Sequence, residues 1–194
     1  MREIAVFCED TGHEMVLKPL VYKIVQNRAY SIHVLSSRGG AARALGEFKK
    51  YLNDVERGHT TFNPDIIIVA IDANCKTYSG KRKIIDQKVP ERFRECIVHC
   101  IPDPHIERWL LLDSSAFKKA LGLGCAAPDK KCEKSRYKQL LKDEVRKSGN
   151  TVNLGGFEHA EDIVKNMSES AIQSDDSLKR FVCDLNAMLA RHEQ

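Results

Sequence analysis

The stretch Asp65-Ile66-Ile67-Ile68-Val69-Ala70-Ile71-Asp72-Ala73-Asn74 decides the fold. From Ile66 to Ile71 it is unbroken by any polar side chain and mostly β-branched. A strand with one wet face alternates polar and apolar residues. A continuous apolar run of this length instead reads as a strand buried on both faces, the central strand of a parallel sheet. The run stops at a carboxylate, Asp72.

On either side of this strand, the first 113 residues alternate strand-like and helix-like patterns. Residues 4–8 form a short apolar run that ends at Glu9-Asp10. Residues 11–26 carry Met15, Leu17, Leu20, Val21, Ile24 and Val25 at helical spacing, with Thr11 placed to cap and Glu14 three residues on, the capping-box pattern. Residues 31–37 read as a second strand, Gly39-Gly40 as a turn and 41–55 as an amphipathic helix. A polar helical stretch over 78–89 follows the central strand, then a strand over 96–101 and a short helix over 104–112 that carries Trp109.

This order predicts an α/β domain over residues 1–115, with a parallel, Rossmann-like sheet of about four strands flanked by helices and joined by right-handed crossovers. Beyond Asp113 the segments 118–124, 133–147, 157–167 and 175–191 read as helices, and no comparable strand recurs. Residues 116–194 are therefore expected to form a basic helical extension packed on the sheet.

The chain has 194 residues, 42% of them hydrophobic and 30% charged, which excludes disordered and collagen-like classes. No apolar run approaches the roughly 18–20 residues of a membrane span. The apolar start is interrupted at Glu9-Asp10, too soon for a signal peptide. The expectation is a cytoplasmic protein without a membrane partner. Seven cysteines, an odd number, argue against a disulfide framework. Cys96-x3-Cys100 and Cys125-x6-Cys132 lack the tight pairs of a structural zinc site. Net charge is +4, and residues 118–147 concentrate ten Lys/Arg against four Asp/Glu. Such clustering suits a phosphate backbone, although a solvated helix face accounts for the charge equally well.

Open parallel sheets bind ligands beyond the carboxyl ends of their strands. Here the first strand ends at Glu9-Asp10, the third at Asp72 and the fourth at Asp103, with His105 and Glu107 just beyond. Carboxylates converging on one edge repel one another unless a cation neutralises them, the alternative being that each strand-end acid caps a helix N-terminus. Oxygen donors without Cys/His pairs suit Mg²⁺ or Mn²⁺, ions that support phosphoryl transfer. Asp72-Ala73-Asn74 would offer a carboxylate and an amide oxygen on the same side if extended, or an Asx-turn if not. His13 and His105 could act as acid or base or bind phosphate, though an isolated histidine is more often structural.

At these residues the chain resembles Toprim-fold proteins, in particular small Toprim-like proteins related to the nuclease domain of overcoming-lysogenization-defect (OLD) proteins. Ile4-Ala5-Val6-Phe7-Cys8-Glu9-Asp10-Thr11-Gly12-His13-Glu14 is similar to that family's strand-Glu-Gly-loop-Glu opening, and residues 66–74 to its strand followed by Asp-x-Asp. Ile101-Pro102-Asp103-Pro104-His105-Ile106-Glu107-Arg108-Trp109-Leu110-Leu111-Leu112-Asp113 resembles a Pro…Ile-Glu-x-Trp-Leu-Leu-x-Asp signature of Toprim-like proteins often paired with ATPases in bacterial defence loci. The resemblance spans residues 3–115. Two departures stand out: Asp10 replaces the glycine, and Asn74 replaces the second aspartate.

The resemblance implies a Mg²⁺- or Mn²⁺-dependent nuclease acting in antiviral defence with an ATPase partner. Glu9, Asp72 and Glu107 would be its catalytic residues, and Glu9, Glu14, Asp72, Asn74 and Glu107 its metal ligands. Lys81, Arg82 and Lys83, with Lys130, Lys131, Lys134, Arg136 and Lys138, are the expected contacts to nucleic acid. A homo-oligomer is compatible with this reading. The alternative is a non-catalytic subunit that keeps the fold and docks on an ATPase. A phospho-acceptor receiver domain fits poorly, because Pro-Asp-Pro-His follows the fourth strand and no later strand ends in lysine.

Overall fold

The computed structural model describes residues 2–26, 28–133 and 135–193. β1 (Arg2–Cys8), β2 (Tyr30–Ser36), β3 (Ile66–Ala70) and β4 (Ile97–Cys100) form a sheet in the order β2-β1-β3-β4, every neighbouring pair parallel. The expected α/β architecture is what the chain adopts. All five residues of β3 are inaccessible to solvent, as a strand without polar positions requires.

Alternation along the strands divides the interior between the two faces of the sheet. Ile4, Val6, Cys8, Ile66, Ile68, Ala70, Val98 and Cys100 point to one face. There they meet α1 (Thr11–Val25) and the C-terminal helices α5 (Ser114–Leu121), α6 (Arg136–Lys147), α7 (Ala160–Asn166), α8 (Glu169–Ser174) and α9 (Asp176–Glu193). Ala5, Phe7, Ile67, Val69 and Ile71 point to the other, against α2 (Gly40–Glu56) and α3 (Tyr78–Asp86). The helices after residue 116 thus share one core with the sheet.

Local differences from the sequence reading have clear causes. The N-cap of α1 is Asp10, not Thr11: its backbone is extended and its carboxylate accepts from the amide of His13. A carboxylate one residue earlier takes over the capping role and moves Glu14 out of capping-box register. Glu14 instead accepts from the Ser36 hydroxyl, tying α1 to the end of β2. The helix expected over 104–112 shortens to α4 (Glu107–Leu110). The carbonyl of Pro104 is engaged by the amide of Asn74 (3.2 Å), so the chain there continues the pairing of β3 with β4. A 3₁₀ segment, Glu91–Cys96, and α8 are too short to leave a periodic signal.

The cysteines require a correction. Cys75 and Cys132, 57 residues apart, are cross-linked with their Cα atoms 5.5 Å apart. Cys8, Cys96, Cys100, Cys125 and Cys183 are free.

Two polar devices hold the C-terminal helices in place. Lys23 Nζ donates to the carbonyls of Val164, Lys165 and Met167, closing the end of α7. Asp113 caps α5 through the amides of Ser115 and Ala116, and its other oxygen accepts from the amide and hydroxyl of Ser168. Asp113→Ala should therefore cost about 2–3 kcal/mol, a lost cap plus stranded donors, measured by chemical denaturation. A loss below about 0.5 kcal/mol, the size of an ordinary surface change, would show that water replaces these bonds. Among the described residues no helix is long and apolar enough to cross a membrane.

Candidate metal centre

Because β1 sends its chain to β2 on one side and pairs with β3 on the other, the sheet switches direction between β1 and β3. A crevice at the carboxyl ends of these strands is where such sheets take ligands. Glu9 and Asp72 stand there. The amide of Glu9 donates to Ala70 O (3.0 Å), and the amide of Asp72 donates to the Glu9 carboxylate (3.1 Å). Past β3 the amides of Ile71 and Ala73 donate to the carbonyls of Cys100 and Pro102. This extended ladder lays Asp72 beside the loop that carries His105 and Glu107.

Asp72 is the hub. Its Oδ1 accepts from the amide of Ile106 (3.0 Å) and from His13 Nε2 (3.1 Å), while Oδ2 meets His105 Nδ1 at 3.0 Å. Two sets of donor atoms share it: Glu9, His13 and Asp72, and Asp72, His105 and Glu107, each lying within 4.8 Å of one another. The acids Glu9, Asp72 and Glu107, expected to meet, are thus brought together through Asp72.

The electrostatics differ from an uncompensated crowd of anions. Burial disfavours the charge on Asp72, yet His13 and His105 outweigh this and hold its carboxyl below the usual range. His13 is 1% exposed, and its Nδ1 also donates to Asp10 Oδ1 (2.8 Å). Burial opposes its charge, but Asp72 and Asp10 raise its pKa to about 10. Burial raises the carboxyl of Glu9, and that of Glu107, with the Asp72 charge adding to each. The histidines thus favour the charge on Asp72, while burial first, and the Asp72 charge second, disfavour the charge on the two glutamates.

The charge on His13 stabilises the metal-free fold fully below its unfolded pKa of 6.5, and this contribution is lost as pH rises through about 10. Nitrogen NMR of the metal-free protein at pH 8 should find both His13 ring nitrogens protonated. A neutral ring at that pH would mean that the two carboxylates do not hold it.

Lys81 needs a correction. Sequence sets it with Arg82 and Lys83 on a surface tracking a nucleic-acid backbone, but it is 4% exposed and interacts electrostatically with Glu9 and Asp72. Burial lowers its pKa and the two carboxylates oppose that shift. Arg82 and Lys83 are exposed, and Arg82 pairs with Asp86. Asn74 is also exposed, with a left-handed backbone (φ 48°), so the segment is not extended there and its alternation no longer sets the Asn74 amide on the side of Asp72. Glu14 belongs to neither donor set and is bound to Ser36.

Asp103 pairs with Lys130 (2.6 Å). Lys131 and Arg136 pair with Asp129, Lys138 is exposed, and Lys134 lies outside the described residues. His13 and His105, read from sequence only as an acid, a base or a phosphate binder, thus join the acids in the donor sets, and Lys81 is buried near them.

The donor set suits a divalent cation: carboxylate oxygens supply charge, and an imidazole nitrogen favours Mn²⁺ over the all-oxygen preference of Mg²⁺. No family model, curated protein or solved structure matches the chain.

Proposed function

We propose that the protein is a divalent-metal-dependent nuclease hydrolysing phosphodiester bonds, in keeping with its resemblance to the Toprim-like group. The observation that carries this reading is the sharing of Asp72 by two donor sets at the switch point of a parallel sheet. Glu9, Asp72 and Glu107, with His13 or His105, would hold Mg²⁺ or Mn²⁺. When bound, the cation would supply Lewis-acid polarisation of the phosphate and a counter-charge for the leaving oxygen.

The chain's own groups have separate parts in this reading. Lys81, buried within electrostatic reach of Glu9 and Asp72, would offer its ammonium group to a phosphate oxygen as it gains charge. His105, 17% exposed at its side chain, is placed to pass a proton between the site and solvent. Arg82, Lys83 and Lys138 supply exposed positive charge for the nucleic-acid backbone. Action in a bacterial defence system with an ATPase partner belongs to the same proposal.

Incubation of the protein with single- and double-stranded DNA and RNA, with Mg²⁺, Mn²⁺ or chelator, tests the reading. Metal-dependent cutting by the wild type supports it. No cutting with either ion, alone or with a co-encoded ATPase, would favour a non-catalytic docking subunit. One observation favours that second reading: the His13 cation already answers Asp72 Oδ1, doing part of a metal's electrostatic work.

A further inference from the structure

Residues 124–133 run without regular secondary structure between α5 and α6, and their anchors lead to the loops of the carboxylate cluster. Cys132 is cross-linked to Cys75, three residues past Asp72. Lys130 Nζ sits 2.6 Å from Asp103 Oδ2, two residues before His105. Tyr137 at the start of α6 places its ring 6.2 Å from that of His105, and its hydroxyl accepts from the amide of Lys131 (2.7 Å). The segment is a strap lashed beside the site.

The cations of this strap are turned onto the protein's own acids. Lys130 faces Asp103, Lys131 faces Asp129 (3.2 Å), and Arg136 behind them pairs with Asp129. The Lys130–Asp103 pair joins the strap to the loop before His105, whereas the two pairs with Asp129 lie within the strap and its flank. Both cross-linked cysteines are exposed, so a thiolate can reach either sulfur. The free Cys8, Cys100 and Cys125 are buried, and burial raises their thiols, that of Cys125 to about 12. Of the free thiols Cys183 is exposed and Cys96 half-buried, so both can meet a reagent, but the Cys75–Cys132 pair is the disulfide a reductant can attack.

We infer that the Cys75–Cys132 bond is a redox modification site: a latch, opened by a dithiol reductant, that releases the 124–133 strap from the loops carrying Asp72 and His105. A thiolate of the reductant attacks one sulfur to give a mixed disulfide, and its second thiol closes a ring that displaces the protein. The reductant loses two electrons and becomes a disulfide. Cys75 and Cys132 gain them and take up one proton each. The latch stands on the anchors alone, and only its consequence, access of nucleic acid to the site, rests on the nuclease reading.

Three measurements test the latch without reference to catalysis. A digest under non-reducing conditions should contain a linked peptide holding Cys75 and Cys132. Hydrogen exchange at the Lys131 amide should speed up by about tenfold or more with dithiothreitol, while β1 and β3 keep their protection. Cys75→Ser and Cys132→Ser without reductant should match reduced wild type, and dithiothreitol should then change nothing further. Absence of the linked peptide would overturn the proposal. So would unaltered exchange at Lys131, or an equal rise across the core, which would make the bond a staple of the whole fold. If the latch behaves as stated but no cleavage is found in either redox state, the nuclease reading fails and the latch stands.

Discussion

On the proposed nuclease reading, Asp72→Asn should abolish metal-dependent cleavage and weaken Mn²⁺ binding by about a hundredfold, the upper end of what removing a partner behind a metal ligand costs. The expectation follows from the position of Asp72 at the junction of both donor sets, where one substitution removes an oxygen charge from each. The asparagine keeps an acceptor for the Ile106 amide but loses the charge that faces His13 and His105. His13 should then lose much of its raised pKa, because the Asp72 charge is the chief factor opposing burial. Cleavage assays, Mn²⁺ titration and the imidazole signals of the variant check the three parts together. Wild-type cleavage rates in Asp72→Asn would mean that the cluster is not where the chemistry happens.

Trp109→Ala should be the most damaging single change to stability, at about 3–5 kcal/mol. Trp109 is wholly buried, stacks on Phe181 of α9 with ring centroids 6.2 Å apart, and donates from its indole nitrogen to Ser177 Oγ (3.0 Å). Ser177 in turn binds Asp175, which accepts from the amides of Ser177 and Leu178 at the start of α9 and pairs with Arg108. Removing the indole leaves a cavity and loosens the junction between the site loop and the last helix. Against a typical total of about 5–15 kcal/mol this is a large fraction, and the melting temperature should fall by about 10 °C. A fall of about 2 °C or less would show that the helices repack around the gap.

These two residues also show what could be read from the sequence. The sheet was legible because residues 66–71 admit no wet face and strand one ends abruptly at Glu9. Strand order was not legible, since no local pattern states which strand lies beside which. The convergence of Glu9 with Asp72 depends on that order.

The Ile106–Asp113 stretch, read through family resemblance as a functional signature, divides its labour. Glu107 joins the cluster, the amide of Ile106 supports Asp72, Trp109 to Leu111 fill the core, and Asp113 caps α5. Most of what the signature specifies here is therefore packing.

Lys81 was concealed within a basic run that resembles a solvated face. Its neighbour Ile85, four residues on and also buried, is the signal that sets it on the inner stripe of α3. His13 follows Asp10 by three residues, the reach of a helix cap, so the spacing that capped α1 also carried the imidazole into the site. The Cys75–Cys132 pair left no local trace, because 57 residues separate its members.

His13, held charged by Asp72 and Asp10, brings to the cluster positive charge that acidic residues at strand ends do not reveal, and Lys81 lies within electrostatic reach of the same acids. What remains is that Glu9 and Glu107 are buried beside the charge of Asp72, and both conditions, burial first, raise their carboxyl pKa values. Titration of the chelator-treated wild-type protein with Mn²⁺, followed by electron paramagnetic resonance, tests directly whether a cation relieves this cluster. The account predicts loss of the free-ion signal on binding at the cluster, at micromolar to submillimolar ion, and its recovery when excess Mg²⁺ competes. An unchanged Mn²⁺ signal at every protein concentration would contradict it, leaving the cluster as a web of internal ion pairs.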